Sequence, residues 1–276
     1  MKCISIITVN YNDKVGLEKT IKSVIYQKFK DFEFIIIDGN SLDGSKEIIE
    51  AYKNDFTHAI SEPDKGIYNA MNKGIKLAKG AYLLFLNSGD ILSDEFVLDK
   101  INKELDPTFG IVYGDANYLE KNASCIRTYP DKLSFQFFLA HNLSHQASFI
   151  RRDLFDSIFL YNEDYKIVSD WEFFIYSICK ENTPYKHINL LICNYDTTGL
   201  SSVIANHQSM HEERKKTLQK YFPLFLDDYK NIAELNNKRM KQYLYIKQKP
   251  IAYKILKAFM TILLQFISKN SASTAL

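Results

Sequence analysis

Carboxylates at the ends of apolar runs are the residues of this chain best placed to do chemistry. Asp38 closes the run 34–37 and opens the loop Gly39-Asn40-Ser41-Leu42-Asp43-Gly44. Asp90 follows Tyr82-Leu83-Leu84-Phe85-Leu86 and ends the loop Asn87-Ser88-Gly89-Asp90. With those runs as strands, both carboxylates stand in the crevice outside the carboxyl ends of a sheet, where open α/β folds bind ligands. Asp38 can accept hydrogen bonds from a base or a ribose, and Thr8, Asn10 and Tyr11 at the end of the first run flank the same place. Asp90 can ligate a divalent cation, and Ser88 beside it can contact the same bound ligand as Asp38. Mg²⁺ keeps several waters and takes one or two carboxylates beside substrate phosphates, so a single aspartate can suffice. Between them, Gly66 and Gly74 of the segment 61–74 permit close backbone approach, and Asp64, Lys65, Asn72 and Lys73 can face a ribose or a diphosphate. Each of these residues also has a plain structural use, as a helix cap, a turn former or a solvated position on an amphipathic helix.

The second half of the chain offers His145-Gln146 and Asp170-Trp171-Glu172. A hydroxyl nucleophile has a very high pKa, so its attack needs a carboxylate or imidazole to take the proton as the new bond forms. Asp170 is the candidate for that base, and with Ser169 it also suits a helix N-cap. His145, Gln146 and Trp171 would then line the side from which the hydroxyl arrives. His207 and His211 can supply a further ligand to a metal or diphosphate, or lie on a solvated helix. No G-x-x-x-x-G-K-[ST] or G-x-S-x-G is present, so P-loop and serine-hydrolase chemistry lack a motif.

The elements that must position these groups follow from the hydrophobic rhythm. Apolar runs at 3–9, 34–37, 81–86 and 110–113 read as strands buried on both faces. Between them Leu17, Ile21, Val24 and Ile25 mark one helix stripe, Ile48, Ile49 and Tyr52 a second, and Ile67, Ala70, Met71, Gly74, Ile75 and Ala78 a third. The alternation predicts an α/β fold with a mostly parallel sheet flanked by helices. From about Asp115 the segments become mixed and aromatic-rich, with a helix near 133–139, a strand near 147–150 and a helix from Asp170 to Cys179. No Pro/Gly/Ser linker intervenes, so 1–205 reads as one domain whose halves are 1–114 and 115–205. Residues 206–276 read as a basic helical extension ending in an amphipathic helix.

The 276 residues suffice for such a domain with an appendage, and 46% hydrophobic content with 19 Phe and 18 Tyr supplies a core. Residues 1–211 carry 22 Lys and Arg against 28 Asp and Glu, whereas 212–276 carry 13 against 5. The basic tail suits anionic lipid, with a solvated helix face as the alternative. Cys3, Cys125, Cys179 and Cys193 form no C-x-x-C pair, which fits a reduced cytosolic setting. The first run ends at Asn10-Tyr11-Asn12-Asp13 without small-residue cleavage chemistry and reads as a buried strand, not an export signal. In the last segment, eleven residues lie between Lys257 and Lys269. At ~1.5 Å per residue they cover about 16 Å, short of a ~30 Å hydrocarbon core, so the helix is expected to lie at the inner face of the membrane without crossing it.

Taken in order, Thr8-Val9-Asn10-Tyr11-Asn12, Asp38-Gly39-Asn40-Ser41-Leu42-Asp43-Gly44, the 61–74 run, Leu86-Asn87-Ser88-Gly89-Asp90, His145-Gln146 and Ser169-Asp170 resemble the family 2 glycosyltransferases of GT-A fold. The run Ser-Glu-Pro-Asp-Lys-Gly-Ile-Tyr-Asn-Ala-Met-Asn-Lys-Gly followed by Leu-Asn-Ser-Gly-Asp looks like the bacterial branch of colanic-acid, exopolysaccharide and O-antigen synthesis. The resemblance covers about residues 1–202. It implies a nucleoside diphosphate sugar as donor, a glycan or lipid-linked glycan as acceptor, inversion, and Mg²⁺ or Mn²⁺ as cofactor. It further implies that Asp38 binds the base, that Asp90 is the surviving aspartate of a DxD-type metal motif, and that Asp170 is the catalytic aspartate with His145 and Gln146 on the acceptor side. Asn87 and Gly89 stand where many relatives have aspartate, Asn69 where the branch has aspartate, and Met71 where wider relatives have arginine. Diphosphate neutralisation then falls to the metal and to Lys65 or Lys73. A nucleotide-sugar-binding scaffold and a nucleotidyltransferase are the rival readings. Nucleic acid is not an expected partner, and a homodimer is the alternative use of the tail.

Overall fold

The structure, a computed structural model, describes residues 4–120, 123–197, 199, 206–226, 228 and 237–267. Cys3, Lys269 and the segment 200–205, on which some expectations fall, lie outside the described residues. The chain forms two compact units, 1–217 and 218–276.

In the first unit, β1 (Ile4–Asn10), β2 (Phe32–Asp38), β3 (His58–Ser61) and β4 (Tyr82–Phe85) lie parallel in the order β3-β2-β1-β4. Every residue of β1, β2 and β4 is buried, as continuous apolar runs require in a sheet covered on both faces. Ile4 and Ile6 pack with Leu17, Ile21 and Val24 of α1 (Lys14–Ile25), whereas Ile7 faces α3 (Ile67–Leu77). α3 comes so close that a Cβ on Gly74 would stand 2.4 Å from Ile7 Cγ2. The short α2 (Ser45–Ala51) connects β2 to β3.

Beyond β4 the sheet becomes mixed. β8 (Ser148–Arg151) pairs antiparallel with β4 and with β6 (Ile111–Glu120), and β6 runs parallel to β9 (Tyr185–Asp196). β5 (Ile91–Leu92) closes on β9, and β7 (Ala123–Arg127) forms a hairpin with β6. Parallel pairing still accounts for most paired residues, so the expected fold class holds. β3, β5 and β9 are strands that the hydrophobic rhythm missed, and β9 is the longest of them. Its burial alternates irregularly because the β6–β9 register shifts between Tyr113 and Ala116. There a Cβ on Gly114 would lie 2.5 Å from the Leu190 carbonyl oxygen, so only glycine admits the approach.

Helices α4 (Val97–Asn102), α5 (Phe135–Ala140), α6 (Asp153–Ser157) and α7 (Ser169–Cys179) fill the remaining sides of this unit. α8 (His207–Tyr221) begins in the first unit, where the Glu213 carboxylate accepts three backbone N–H bonds from Lys166, Ile167 and Val168 at 2.8–3.1 Å. In the second unit, α9 (Lys238–Lys247) and α10 (Pro250–Phe266) form a helical hairpin in which no residue is buried.

Candidate active site

The carboxyl ends of β1, β2 and β4 are laced together by side chains. Asn10 lies directly across from Asp38 in register, and its amide donates to Asp38 Oδ1 at 2.7 Å and to Ser41 Oγ at 3.2 Å. Its oxygen accepts from Ser88 Oγ at 2.8 Å, so one asparagine ties the β2 end to the β4 end. Asp38 also accepts from the Ser41 backbone at 3.0 Å and hydroxyl at 2.6 Å, and from Ser61 Oγ at 2.6 Å. Burial pushes its carboxyl up, but these donors outweigh it and hold the group below its ordinary value. Thr8 is spent inside the sheet, donating to the Leu86 carbonyl at 2.7 Å.

Beside this lacing Gly39 is closely approached by two side chains. A Cβ on Gly39 would stand 2.6 Å from Asp64 Oδ2 and 3.0 Å from Tyr11 Cδ2, so the bare glycine backbone is flanked by a carboxylate and a ring. Tyr11 is 69% exposed, and Lys65 is exposed next to Asp64. Two other residues expected here point elsewhere. The Asn72 amide is consumed by Tyr161 N–H and C=O and by Glu163, and the Lys73 ammonium by Glu62 at 2.7 Å and the Pro63 carbonyl at 3.0 Å.

The turn 87–90 is pinned from below by Thr20, whose hydroxyl donates to the Asp90 carbonyl at 2.7 Å and accepts from Gly89 N at 3.0 Å. Gly89 has φ +94°, a conformation that favours glycine. The Asp90 carboxylate accepts from Asp196 N at 3.0 Å and Gln146 Nε2 at 3.1 Å. Burial dominates over these donors and raises it to about 7. Asp196 Oδ2 and Asp13 Oδ2 lie 3.4 and 3.7 Å from the place a Cβ on Gly89 would take, so three carboxylates surround one turn. Among the described residues no group of three His, Cys, Asp or Glu closes on a single ion position. The set fits a divalent ion that takes one or two carboxylates and completes its shell with phosphate and water.

Asp170 lies in the first turn of α7 but does not cap it, because Val168 occupies the N-cap. Its Oδ1 lies 3.1 Å from Tyr68 OH, whose single hydrogen also has the Ile167 carbonyl at 2.6 Å, and its Oδ2 lies 3.0 Å from both Asn142 Nδ2 and His145 Nδ1. Burial raises this carboxyl, yet the His145 ring, the Trp171 backbone N–H and Tyr68 together hold it below its ordinary value. His145 and Gln146 share a short 3₁₀ turn, 145–147, that sends the two side chains to different carboxylates, the imidazole to Asp170 and the amide to Asp90. The Trp171 side chain is buried, with its indole N–H on the Phe138 carbonyl at 2.6 Å. His145, Asn142 and Asn87 are the half-buried polar side chains around this carboxylate.

Sequence reasoning missed Arg214. Its guanidinium lies 5.0 Å from the Trp171 ring centre, burial lowers its pKa against the pull of Asp170, and its buried Nε has no hydrogen-bond partner. The available signal was spacing. Met210, Glu213, Arg214 and Thr217 fall at i, i+3, i+4 and i+7, and all four turn inward from α8. His207 and His211 are exposed on the same helix.

A mostly parallel sheet flanked by helices, with buried aspartates gathered at the carboxyl ends of its strands, is the architecture of the GT-A fold. The model of glycosyl transferase family 2 matches residues 5–159, and the chain belongs to that family. It is 30% identical over 212 residues to a PGL/p-HBAD biosynthesis glycosyltransferase of Mycobacterium bovis (strain BCG / Pasteur 1173P2), covering 74% of this chain and 81% of the relative. Among solved structures it resembles S. aureus TarS 1–349 in complex with UDP-GlcNAc, with a TM-score of 0.59 and 18% identity over 71% of this chain and 59% of that one. It also resembles the mannosyltransferase PcManGT from Pyrobaculum calidifontis in complex with GDP-Man and Mn²⁺, with a TM-score of 0.61 and 13% identity over 95% and 80% of the two chains. Both likenesses bear on the fold.

Proposed function

We propose that this glycosyltransferase moves a sugar from a nucleoside diphosphate sugar to a hydroxyl of a lipid-linked glycan in surface-polysaccharide synthesis, with inversion at the anomeric carbon. The observation that carries the reading is the His145-Gln146 turn, because one dipeptide couples the carboxylate of the donor side, Asp90, to that of the acceptor side, Asp170. A single displacement needs charge neutralisation for the departing diphosphate and a proton acceptor for the incoming hydroxyl, and the two must stand on opposite sides of the sugar.

In this reading Tyr11 and Asp64 receive the base and ribose over Gly39, while Asp38, Asn10, Thr8 and Ser88 hold the three strand ends in place beneath them. Direct contact between Asp38 and the base would require Asn10, Ser41 or Ser61 to give up its bond. Lys65 and Arg214 supply positive charge. Asp90 would hold Mg²⁺ or Mn²⁺, with Asp13 and Asp196 beside it, and the ion's chemistry there is neutralisation of the leaving diphosphate. The names of the relatives support a donor of this class, since TarS binds UDP-GlcNAc and the mannosyltransferase binds GDP-Man with Mn²⁺. Within surface-glycan synthesis the 61–74 run favours the colanic-acid or O-antigen branch. α10 would hold the enzyme against the inner face of the plasma membrane, where a lipid-linked acceptor resides.

The test is a panel of nucleotide sugars given to the purified protein with Mn²⁺ or Mg²⁺. Release of free nucleoside diphosphate from one donor is the expected result. Release of pyrophosphate, or of nothing from any donor, would overturn the reading.

A further inference from the structure

We propose that Arg214 receives an anionic group of the acceptor, a carboxylate or a phosphate on the sugar that supplies the attacking hydroxyl, so that the enzyme selects a charged acceptor over a neutral one. The inference rests on the glycosyl-transfer reading above and names the substrate class of its acceptor side.

The first observation is that this guanidinium has no anion of its own. Arginine stays protonated in proteins and presents five N–H donors in a planar fork. Among the described residues Arg214 makes no ion pair and donates no side-chain hydrogen bond; its neighbours are the Trp171 ring, 5.0 Å away, and the field of Asp170. Its Nε is sealed from solvent without a partner, whereas Nη1 and Nη2 are not sealed, so the open end of the fork is the end a ligand can reach. Two other arginines show what a fork does when no ligand is at stake. Arg151 gives its N–H groups to Asp153 and the Pro107 carbonyl, each at 2.6 Å, and Arg127, stacked on Tyr118 at 3.8 Å, is exposed to water. Arg214 is half-buried and has neither answer, a costly state for a cation.

The second observation is that the fork is held in place. Glu213, next in sequence, binds the N–H groups of Lys166, Ile167 and Val168 just before α7, and Thr217, one turn on, donates to Tyr165 OH at 3.0 Å. The Trp171 indole beneath the guanidinium is itself fixed on the Phe138 carbonyl. A side chain immobilised before binding loses little freedom when a ligand arrives. Position then selects the ligand. The charges acting on Asp90 are those of His145 and Asp196, whereas Arg214 feels Asp170, so the fork belongs to the acceptor side. An anion brought close to Asp170 in a low-dielectric site would be repelled, and a guanidinium beside that carboxylate makes the approach favourable. Carboxylate and phosphate are the groups that two Nη atoms bind side by side.

The first arm of the test needs no transfer. Trp171 is the one tryptophan of the chain, so intrinsic fluorescence reports on the ring under Arg214. Titration of the full chain with glucuronate and with glucose 6-phosphate, with glucose as the neutral control, should give a saturable change with one of the two anions and none with glucose, and the comparison of the two tells carboxylate from phosphate. Arg214→Gln should abolish the response and Arg214→Lys should weaken it, since an ammonium lacks the fork. No response to either anion, the same response in Arg214→Gln, or a response to inorganic phosphate with none to either sugar anion would overturn the proposal, whatever the fate of the transfer reading. The second arm follows nucleoside diphosphate release from UDP-GlcNAc or GDP-mannose, whichever the wild type accepts, with methyl glucuronide, methyl glucoside 6-phosphate and methyl glucoside as acceptors. Arg214→Gln should cut the kcat/KM preference for the anionic acceptor over the neutral one by about tenfold or more, the usual weight of a hydrogen bond to a charged group. Equal losses on charged and neutral acceptors would make Arg214 a partner of Asp170 or of the leaving diphosphate instead. Arg214→Lys repeats the comparison should the glutamine variant fail to fold.

Discussion

Asp38 and Asp170 are both buried aspartates at one sheet edge, both held below the ordinary carboxylate range, yet their surroundings differ in kind. Asp38 is bonded to groups from its own and neighbouring strand ends, Asn10, Ser41 and Ser61, and none of them is titratable. Asp170 is bonded to Tyr68 of α3, Asn142 and His145, three side chains from different parts of the chain, one of which is an imidazole. The first arrangement fixes a shape. The second couples a shape to a proton, and it also leaves buried atoms without partners next to it, at Asn87 Oδ1, Asn142 Oδ1 and Arg214 Nε. Unsatisfied buried polar atoms cost stability, and at this edge they gather where the reaction is proposed, around Asp170 and not around Asp38.

The largest expected effect separates the two by function. Asp170→Asn should lower turnover by about 10²–10⁴-fold, the usual range for loss of acid–base catalysis, while leaving nucleotide-sugar binding and the melting temperature close to wild type. Wild-type turnover in a folded Asp170→Asn protein would make the two sites alike after all. Next in size is the effect of Asp38→Ala on stability. It strands the amide of Asn10 and the N–H and hydroxyl of Ser41, and with stranded donors costing about 1–3 kcal/mol each and some finding water, we expect about 2–4 kcal/mol in denaturant unfolding. An unchanged midpoint would mean that Asp38 does not hold the strand ends.

A smaller effect sharpens the comparison through pH. Asp38 is held below its ordinary 3.8 in the fold, so its stabilisation is present above that value and is lost as pH falls through the lower folded value. Asp90 has the opposite sign. Its folded carboxyl is raised from 3.8 to about 7, so its contribution is present in acid and is lost as pH rises through about 7. A cation at Asp90 needs the ionised form, so thermal stabilisation by Mn²⁺ should be larger near pH 8 than near pH 5.5. Asp90→Asn should flatten that dependence. Stabilisation by Mn²⁺ that is equal at both pH values would place the ion elsewhere.

The same contrast explains what could be read without a structure. The ends of β1, β2 and β4 were legible because each is a local signal, an apolar run stopped by Asn, Asp or Gly, and the parallel register of neighbouring strands then carries Asn10 to Asp38. His145, Gln146 and Asp170 were legible as residues but not as a connected relay, because the relay depends on α7 and the 145–147 turn meeting in space. Asn72 and Lys73 were expected in the cleft on helical position alone. Their side chains were taken instead by the Tyr161–Glu163 segment and by Glu62, neither of which leaves a mark near residue 72. Arg214 was hidden for a related reason. α8 is polar on every side, so the face that turns inward carries Glu213, Arg214 and Thr217 with no apolar stripe to announce it.

The smallest expected energies, and the plainest readout, belong to the second unit, whose helices α9 and α10 bury no residue. Ile251, Ile255, Phe259, Leu263 and Phe266 of α10 are each 46–82% exposed. Lys254, Lys257, Thr261 and Gln265 fall along one narrow stripe at helical spacing, and the rest of the circumference is apolar. Residues 237–267 carry seven Lys and Arg and no acid, a balance suited to an anionic leaflet. At ~1.5 Å per residue α10 is about 26 Å long, short of a ~30 Å hydrocarbon core, and among the described residues no helix is long and apolar enough to cross a membrane. The helix should therefore lie in the interface, with its apolar circumference among the acyl chains and each lysine near the surface contributing roughly 1 kcal/mol. Sedimentation with vesicles containing phosphatidylglycerol should carry the full-length protein down at low salt and release much of it at high salt. Replacing Lys247, Lys249, Lys254 and Lys257 by Gln should weaken binding, and deletion after Lys249 should abolish it while sparing nucleoside diphosphate release with a short soluble acceptor. If the intact protein stays in the supernatant and runs as a dimer that the deletion converts to monomer, the exposed face of α10 meets a second copy of the chain and not a membrane.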